Sequence, residues 1–106
     1  MKSIFDAVDL NGKAFAKNRI CRSATDEGVC ENGRLGEVFF RIYSQLAKGG
    51  AGLITSGMAE VSKSGLFVPG VALAYRDDYE KQLGPVCDTM RENGAVFTVQ
   101  LTHSGM

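Results

Sequence analysis

Leu35-Gly36-Glu37-Val38-Phe39-Phe40-Arg41-Ile42-Tyr43-Ser44-Gln45-Leu46-Ala47-Lys48-Gly49-Gly50-Ala51-Gly52-Leu53-Ile54-Thr55-Ser56-Gly57 reads as a helix, a stop and a strand in immediate succession. Leu35, Val38, Phe39, Ile42, Tyr43 and Leu46 recur at the spacing of a helix that buries one face. Gly49-Gly50 supplies the stop, because glycine accepts left-handed backbone without a Cβ clash. Ala51 to Gly57 is short and near-continuously apolar, as a parallel strand covered on both faces requires.

Working outward, Asp9-Leu10-Asn11-Gly12-Lys13-Ala14-Phe15 sets Asn-Gly between two short apolar runs. That predicts an opening hairpin, since both central residues of a type I′ turn need positive φ. Arg19 to Ala24 reads as a first strand, and its exit, Thr25-Asp26-Glu27-Gly28, is polar and flexible. Beyond the central strand, residues 58–76 form a connection with Gly65, Pro69 and Gly70, longer than a usual βα loop and so either a candidate functional loop or a disordered one. Asp77 is placed to cap a second helix with Glu80 as its capping-box partner, and Tyr79, Leu83, Val86, Cys87 and Met90 form its buried stripe. Pro85 predicts a kink near residues 81–85, or two short helices. Asn93-Gly94 closes that segment, and Ala95 to Leu101 is a third strand. Hairpin, strand, helix, strand, helix, strand is the order of right-handed βαβ units in an α/β fold, with one domain over residues 1–106.

Composition bounds the function. With 44% hydrophobic and 23% charged residues the chain suits a globular class. Twelve basic side chains balance twelve acidic ones and no basic run appears, which argues against nucleic acid and anionic membranes as partners. No apolar run approaches the roughly 20 residues that span a bilayer, and the N-terminus lacks a signal-peptide core, so a cytoplasmic location is expected. Cys21, Cys30 and Cys87 lack any Cys-x-x-Cys spacing and fit reduced thiols better than disulfides or a zinc site.

Several residues carry chemistry. Gly49-Gly50-Ala51-Gly52 resembles a phosphate loop in composition, but such loops open a helix and this one closes one, so a cap-and-turn role fits better. His103, the sole histidine, follows the third strand, where it either contacts a bound molecule or gives a supporting hydrogen bond. Gln100 is an amide near the end of an apolar strand, and either neighbouring backbone or a flat heterocycle with alternating donors and acceptors satisfies it. Ser23, Thr25 and Ser56 are small hydroxyl residues at strand ends that face a ligand or cap loops. Asp26 and Glu27 are adjacent, and adjacent strand residues point to opposite faces, so one solvated and one engaged carboxylate are expected.

Asn18-Arg19-Ile20, Ser23-Ala24-Thr25, Leu46 to Ile54, Ser56-Gly57 and Gln100-Leu101-Thr102-His103-Ser104-Gly105 resemble, in order and spacing, the opening third of Old Yellow Enzyme family NAD(P)H:flavin oxidoreductases. The resemblance implies the N-terminal part of a TIM (β/α)8 barrel, about three parallel strands behind a hairpin that plugs the barrel's bottom. It implies FMN at the C-terminal strand ends, with Ser23, Ala24, Thr25 and Asp26 lining the flavin mainly through backbone groups. Gly57 lets the backbone approach the ring, and Gln100 hydrogen-bonds its pyrimidine portion. NADH or NADPH is the implied reductant, and an electron-poor alkene the implied small-molecule substrate. No catalytic residue of that family falls within the chain, because its substrate-activating pair belongs to a later strand. Two positions depart from the pattern: strict register puts Asp26, or with a one-residue bulge Thr25, where Thr or Cys usually tunes the flavin, and Gly28 stands where some members carry a tyrosine.

By itself the 106-residue chain is expected to be inactive, with open strand edges that favour association, a homo-oligomer included. A non-catalytic βα module that oligomerises or complements another chain is the alternative, and a phosphate-binding barrel enzyme without flavin a third.

Overall fold

A computed structural model describes residues 2–65, 68–103 and 105. Met1, Leu66 and Phe67 of the long connection, Ser104 of the C-terminal motif, and Met106 lie outside the described residues. The elements run β1 (Val8–Leu10), β2 (Ala14–Ala16), β3 (Cys21–Arg22), α1 (Glu37–Lys48), β4 (Leu53–Glu60), β5 (Ala72–Leu73), α2 (Tyr79–Glu92) and β6 (Val96–Thr102).

The hairpin forms as its turn residues dictate. β1 and β2 pair antiparallel, Asn11 and Gly12 have φ of 56° and 71°, and the Lys13 N–H donates to the Leu10 carbonyl at 3.0 Å. Lys17 continues from β2 to the end of α2, where its Nζ donates to the Asn93 carbonyl at 2.5 Å, so the hairpin lies at the N-terminal end of the sheet.

β3, β5 and β6 all pair parallel with β4, which makes β4 the central strand. This is the α/β arrangement the element order predicts. α1 and α2 cover one face, where Phe39, Tyr43, Ala47, Ile54, Val86 and Met90 are buried together. Tyr43 stacks on Phe39 at 4.3 Å and meets Phe97 edge-on at 5.8 Å. On the opposite face Cys21, Thr98 and Gln100 are exposed, and the Thr55 and Thr98 hydroxyls lie 2.8 Å apart.

α1 ends where the glycines predict, although Gly49 remains right-handed at φ −70° and Gly50 takes the left-handed turn at φ +101°. Gly52 is a packing glycine, since a Cβ there would lie 2.5 Å from the Asn18 carbonyl oxygen. Asn18 clamps the same corner, donating from Nδ2 to the Gly50 carbonyl at 2.7 Å and accepting the Ile20 N–H at 3.0 Å. The segment from Gly49 to Gly52 is thus a cap and turn.

Other boundaries move, each for a local reason. β3 is two residues rather than Arg19 to Ala24, because beyond Arg22 the chain leaves β4 to form the exit loop. β4 continues past Gly57 to Glu60, where β5 flanks it. The α2 N-cap is Asp78 rather than Asp77, and no side chain caps it. The Asp78 carboxylate is instead drawn to Arg76 at 3.1 Å and Arg34 at 2.8 Å, which together hold it below the usual carboxylate range. α2 passes through Pro85 as a single helix, so the two-helix alternative does not hold.

Candidate functional site

The exit loop of β3, the middle of β4 and the end of β6 meet at a β-bulge. Register runs from Thr55↔Thr98 to Met58↔Gln100, so Ser56 and Gly57 together oppose one residue of β6. The buried Ser56 hydroxyl repairs the interrupted ladder, donating to the Gly57 carbonyl at 2.7 Å and accepting the Gln100 N–H at 3.2 Å. Gly57 is required by contact: a Cβ there would lie 2.5 Å from the Thr25 carbonyl oxygen and 3.0 Å from the Asp26 Cα. The 23–26 segment therefore lies against the bulge, and register sets Gln100 on the bulge's other side.

Within this corner, Ser23 and Thr25 are exposed and Ala24 half-buried, and Thr25 Oγ1 donates to the Ser23 carbonyl at 3.1 Å. Asp26 is exposed, and its Oδ1 accepts the Gly28 N–H at 3.1 Å, so this carboxylate closes its own loop. Gln100 is exposed on the helix-free face. His103 is also exposed; its Nδ1 accepts the Gly105 N–H at 3.1 Å and its Nε2 lies 2.9 Å from the Ser64 hydroxyl, a supporting bond between β6 and the long connection. Cys30 offers no nucleophile, because burial, then the Glu27 and Asp26 charges, push its thiol up to about 11.

Glu27 turns away from Asp26 into a network that periodicity did not disclose. Its Oε2 pairs with Arg22 Nη2 and accepts the Tyr43 hydroxyl proton at 2.7 Å. That hydroxyl oxygen in turn accepts from Arg22 Nη1 at 2.9 Å and from the Gly57 N–H at 2.9 Å. Arg22 Nη1 also donates to the Thr55 carbonyl at 2.9 Å. Burial opposes the Arg22 charge, but its bonds to Glu27 and Tyr43 outweigh that and raise its pKa. Burial, then the bond to Glu27, pushes the Tyr43 phenol up to about 12. One clue was legible: Tyr43 in the middle of an apolar stripe needs a partner for its hydroxyl, and Arg22 is a charged side chain within the predicted first strand.

Parallel βαβαβ in sequential strand order is the unit a (β/α)8 barrel repeats; here a hairpin precedes it and a polar corner lies over a central bulge. No protein-family model matches the sequence. The chain is 36% identical over 90 residues to a probable N-methylproline demethylase of Rhizobium meliloti, 84% of this chain and 13% of that protein. It is 30% identical over 104 residues to a 4,4'-dithiodibutanoate disulfide reductase of Rhodococcus erythropolis, 98% of this chain and 25% of that protein. Among solved structures, the Old Yellow Enzyme homologue NCR of Zymomonas mobilis superposes with a TM-score of 0.84 at 26% identity, over 96% of this chain and 28% of that one. Morphinone reductase in complex with tetrahydroNAD shares the fold, with a TM-score of 0.85 at 19% identity, over 97% of this chain and 28% of that one. The chain is Old Yellow Enzyme-like and corresponds to the N-terminal part of that family's barrel. It spans a quarter or less of the length of these two curated relatives.

Proposed function

We propose that this chain supplies the N-terminal wall of an FMN site in an NAD(P)H-dependent flavin oxidoreductase. The observation that carries it is the convergence at the Gly57 bulge, where the 23–26 backbone and Gln100 flank one short piece of β4. The donor set fits a flat heteroaromatic ring. Ser23, Ala24 and Thr25 present small side chains and leave their peptides approachable, and Gln100 offers an amide N–H and carbonyl together on the exposed face. Ser23, Ala24, Thr25 and Asp26 would hold one edge of the ring, with Gly57 keeping that loop close and Gln100 bonding the pyrimidine portion. FMN, when bound, would supply hydride transfer from NADH or NADPH to a small-molecule acceptor. The protein's part is to orient the ring and exclude other geometries.

The curated relatives are named for demethylation and disulfide reduction, and the structural ones include a morphinone reductase. The disulfide reductase is named for a reduction, which supports the redox reading. An electron-poor alkene is the acceptor class we assign, with activating residues outside this chain, and a cytoplasmic setting is part of the same proposal. The Asp26 side chain faces its own loop, which favours Thr25 for the tuning position beside the ring. A non-catalytic βα module that complements another chain is the second reading, favoured by the outer edge of β6, which no described strand pairs.

The test is purification of the protein at its full encoded length, with measurement of bound FMN and of NADH and NADPH oxidation with an α,β-unsaturated ketone. Stoichiometric FMN and alkene-dependent turnover are expected. A colourless protein that takes up no added FMN would overturn the proposal.

A further inference from the structure

We propose that Arg22, Glu27 and Tyr43 are positioning residues that lock the 23–27 segment to the Gly57 bulge, and thereby set the affinity and electronic environment of the flavin they do not themselves touch. This rests on the flavin reading above. The three side chains come from different elements: Arg22 ends β3, Glu27 lies in the exit loop and Tyr43 is in α1. The Tyr43 hydroxyl is their node. It has one proton and two lone pairs, and all are used: the proton goes to Glu27 at 2.7 Å, and the lone pairs take the Arg22 guanidinium and the Gly57 N–H at 2.9 Å each. Gly57 is thus gripped from both sides, by the Tyr43 hydroxyl at its N–H and by the Thr25 peptide where a Cβ would stand.

Burial makes the arrangement strict. Tyr43 is fully buried and Glu27 and Arg22 are 12% and 17% exposed, so a lost partner leaves a polar group that water reaches poorly. The exit loop, through Glu27, and Gly57, against which the 23–26 peptides lie, are fixed through the same oxygen. A shift at one is transmitted to the other without any contact to the ligand. Sequence distance hides this network: Tyr43 lies 21 residues from Arg22, 16 from Glu27 and 14 from Gly57.

The test uses the FMN-loaded protein at full encoded length, comparing wild type with Tyr43→Phe and Glu27→Gln. Tyr43→Phe conserves the ring that packs on Phe39 and removes only the hydroxyl; Glu27→Gln keeps an acceptor and removes the charge. Amide hydrogen exchange at Gly57 and across residues 23–27 reads the coupling, while the FMN dissociation constant and bound-flavin absorption spectrum read its consequence. We expect faster exchange at both places in Tyr43→Phe, FMN weakened about tenfold to a hundredfold with a shifted spectrum, and a smaller change in Glu27→Gln. Unchanged exchange at residues 23–27, or unchanged FMN affinity and spectrum in both variants beside a lowered melting temperature, would overturn the proposal and leave the three as structural residues. A wild-type protein that takes up no FMN would overturn the flavin reading instead, and exchange at Gly57 would still decide the coupling.

Discussion

A methyl group at Gly57 would have to displace the peptide it touches, because the Thr25 carbonyl oxygen is 2.5 Å from where that Cβ would stand. Gly57→Ala is therefore expected to cost about 1–3 kcal/mol, seen as a lower thermal midpoint, and to weaken FMN by opening the exit loop. Tyr43 predicts an alkaline limit. Its phenol is pushed from 10.0 to about 12, so the unfolded chain releases that proton first and rising pH favours unfolding. The stability held by the neutral phenol is complete below about pH 10 and is lost between about 10 and 12, a step that urea titrations over pH should show and Tyr43→Phe should reduce. At this scale the sequence was informative where a residue's own chemistry constrains it and silent where a partner does. Strand geometry predicts one solvated and one engaged carboxylate, but Asp26 and Glu27 lie in the loop beyond β3, where exposed Asp26 closes its own turn; that Glu27 is held by Arg22 and Tyr43 required the fold.

Elements were easier to read than their ends. The stripe from Leu35 to Leu46 located α1 because burying one face at a period of 3.6 leaves a mark in the order of residues. The N-cap of α2 is Asp78 rather than Asp77, and its carboxylate makes no cap bond because Arg76 and Arg34, the latter 44 positions earlier in the chain, hold it. The β4 bulge had no sequence mark beyond Gly57, since a bulge depends on how two strands meet. Pro85 supplies a prediction at this scale. It is exposed inside a continuous helix and denies an N–H to the preceding turn, so Pro85→Ala should raise the thermal midpoint, by about 1–3 kcal/mol in stability.

For the molecule as a whole, parallel strands around β4 set the polar corner on the exposed face and the helices on the other, as barrel strands do. No described strand pairs the outer edge of β6, and Leu101 there is 65% exposed. The 106-residue chain is therefore expected to associate as concentration rises in analytical ultracentrifugation, and Leu101→Lys to reduce that association. The central claim is that the corner around Gly57 holds a flavin, and Gln100 tests it most directly, because its side chain is exposed and its change need not disturb the core. The measurement is the FMN dissociation constant of Gln100→Leu against wild type in the protein at full encoded length. A loss of about tenfold or more, with an unchanged thermal midpoint of the flavin-free protein, is predicted; equal affinity in the two proteins would contradict the claim.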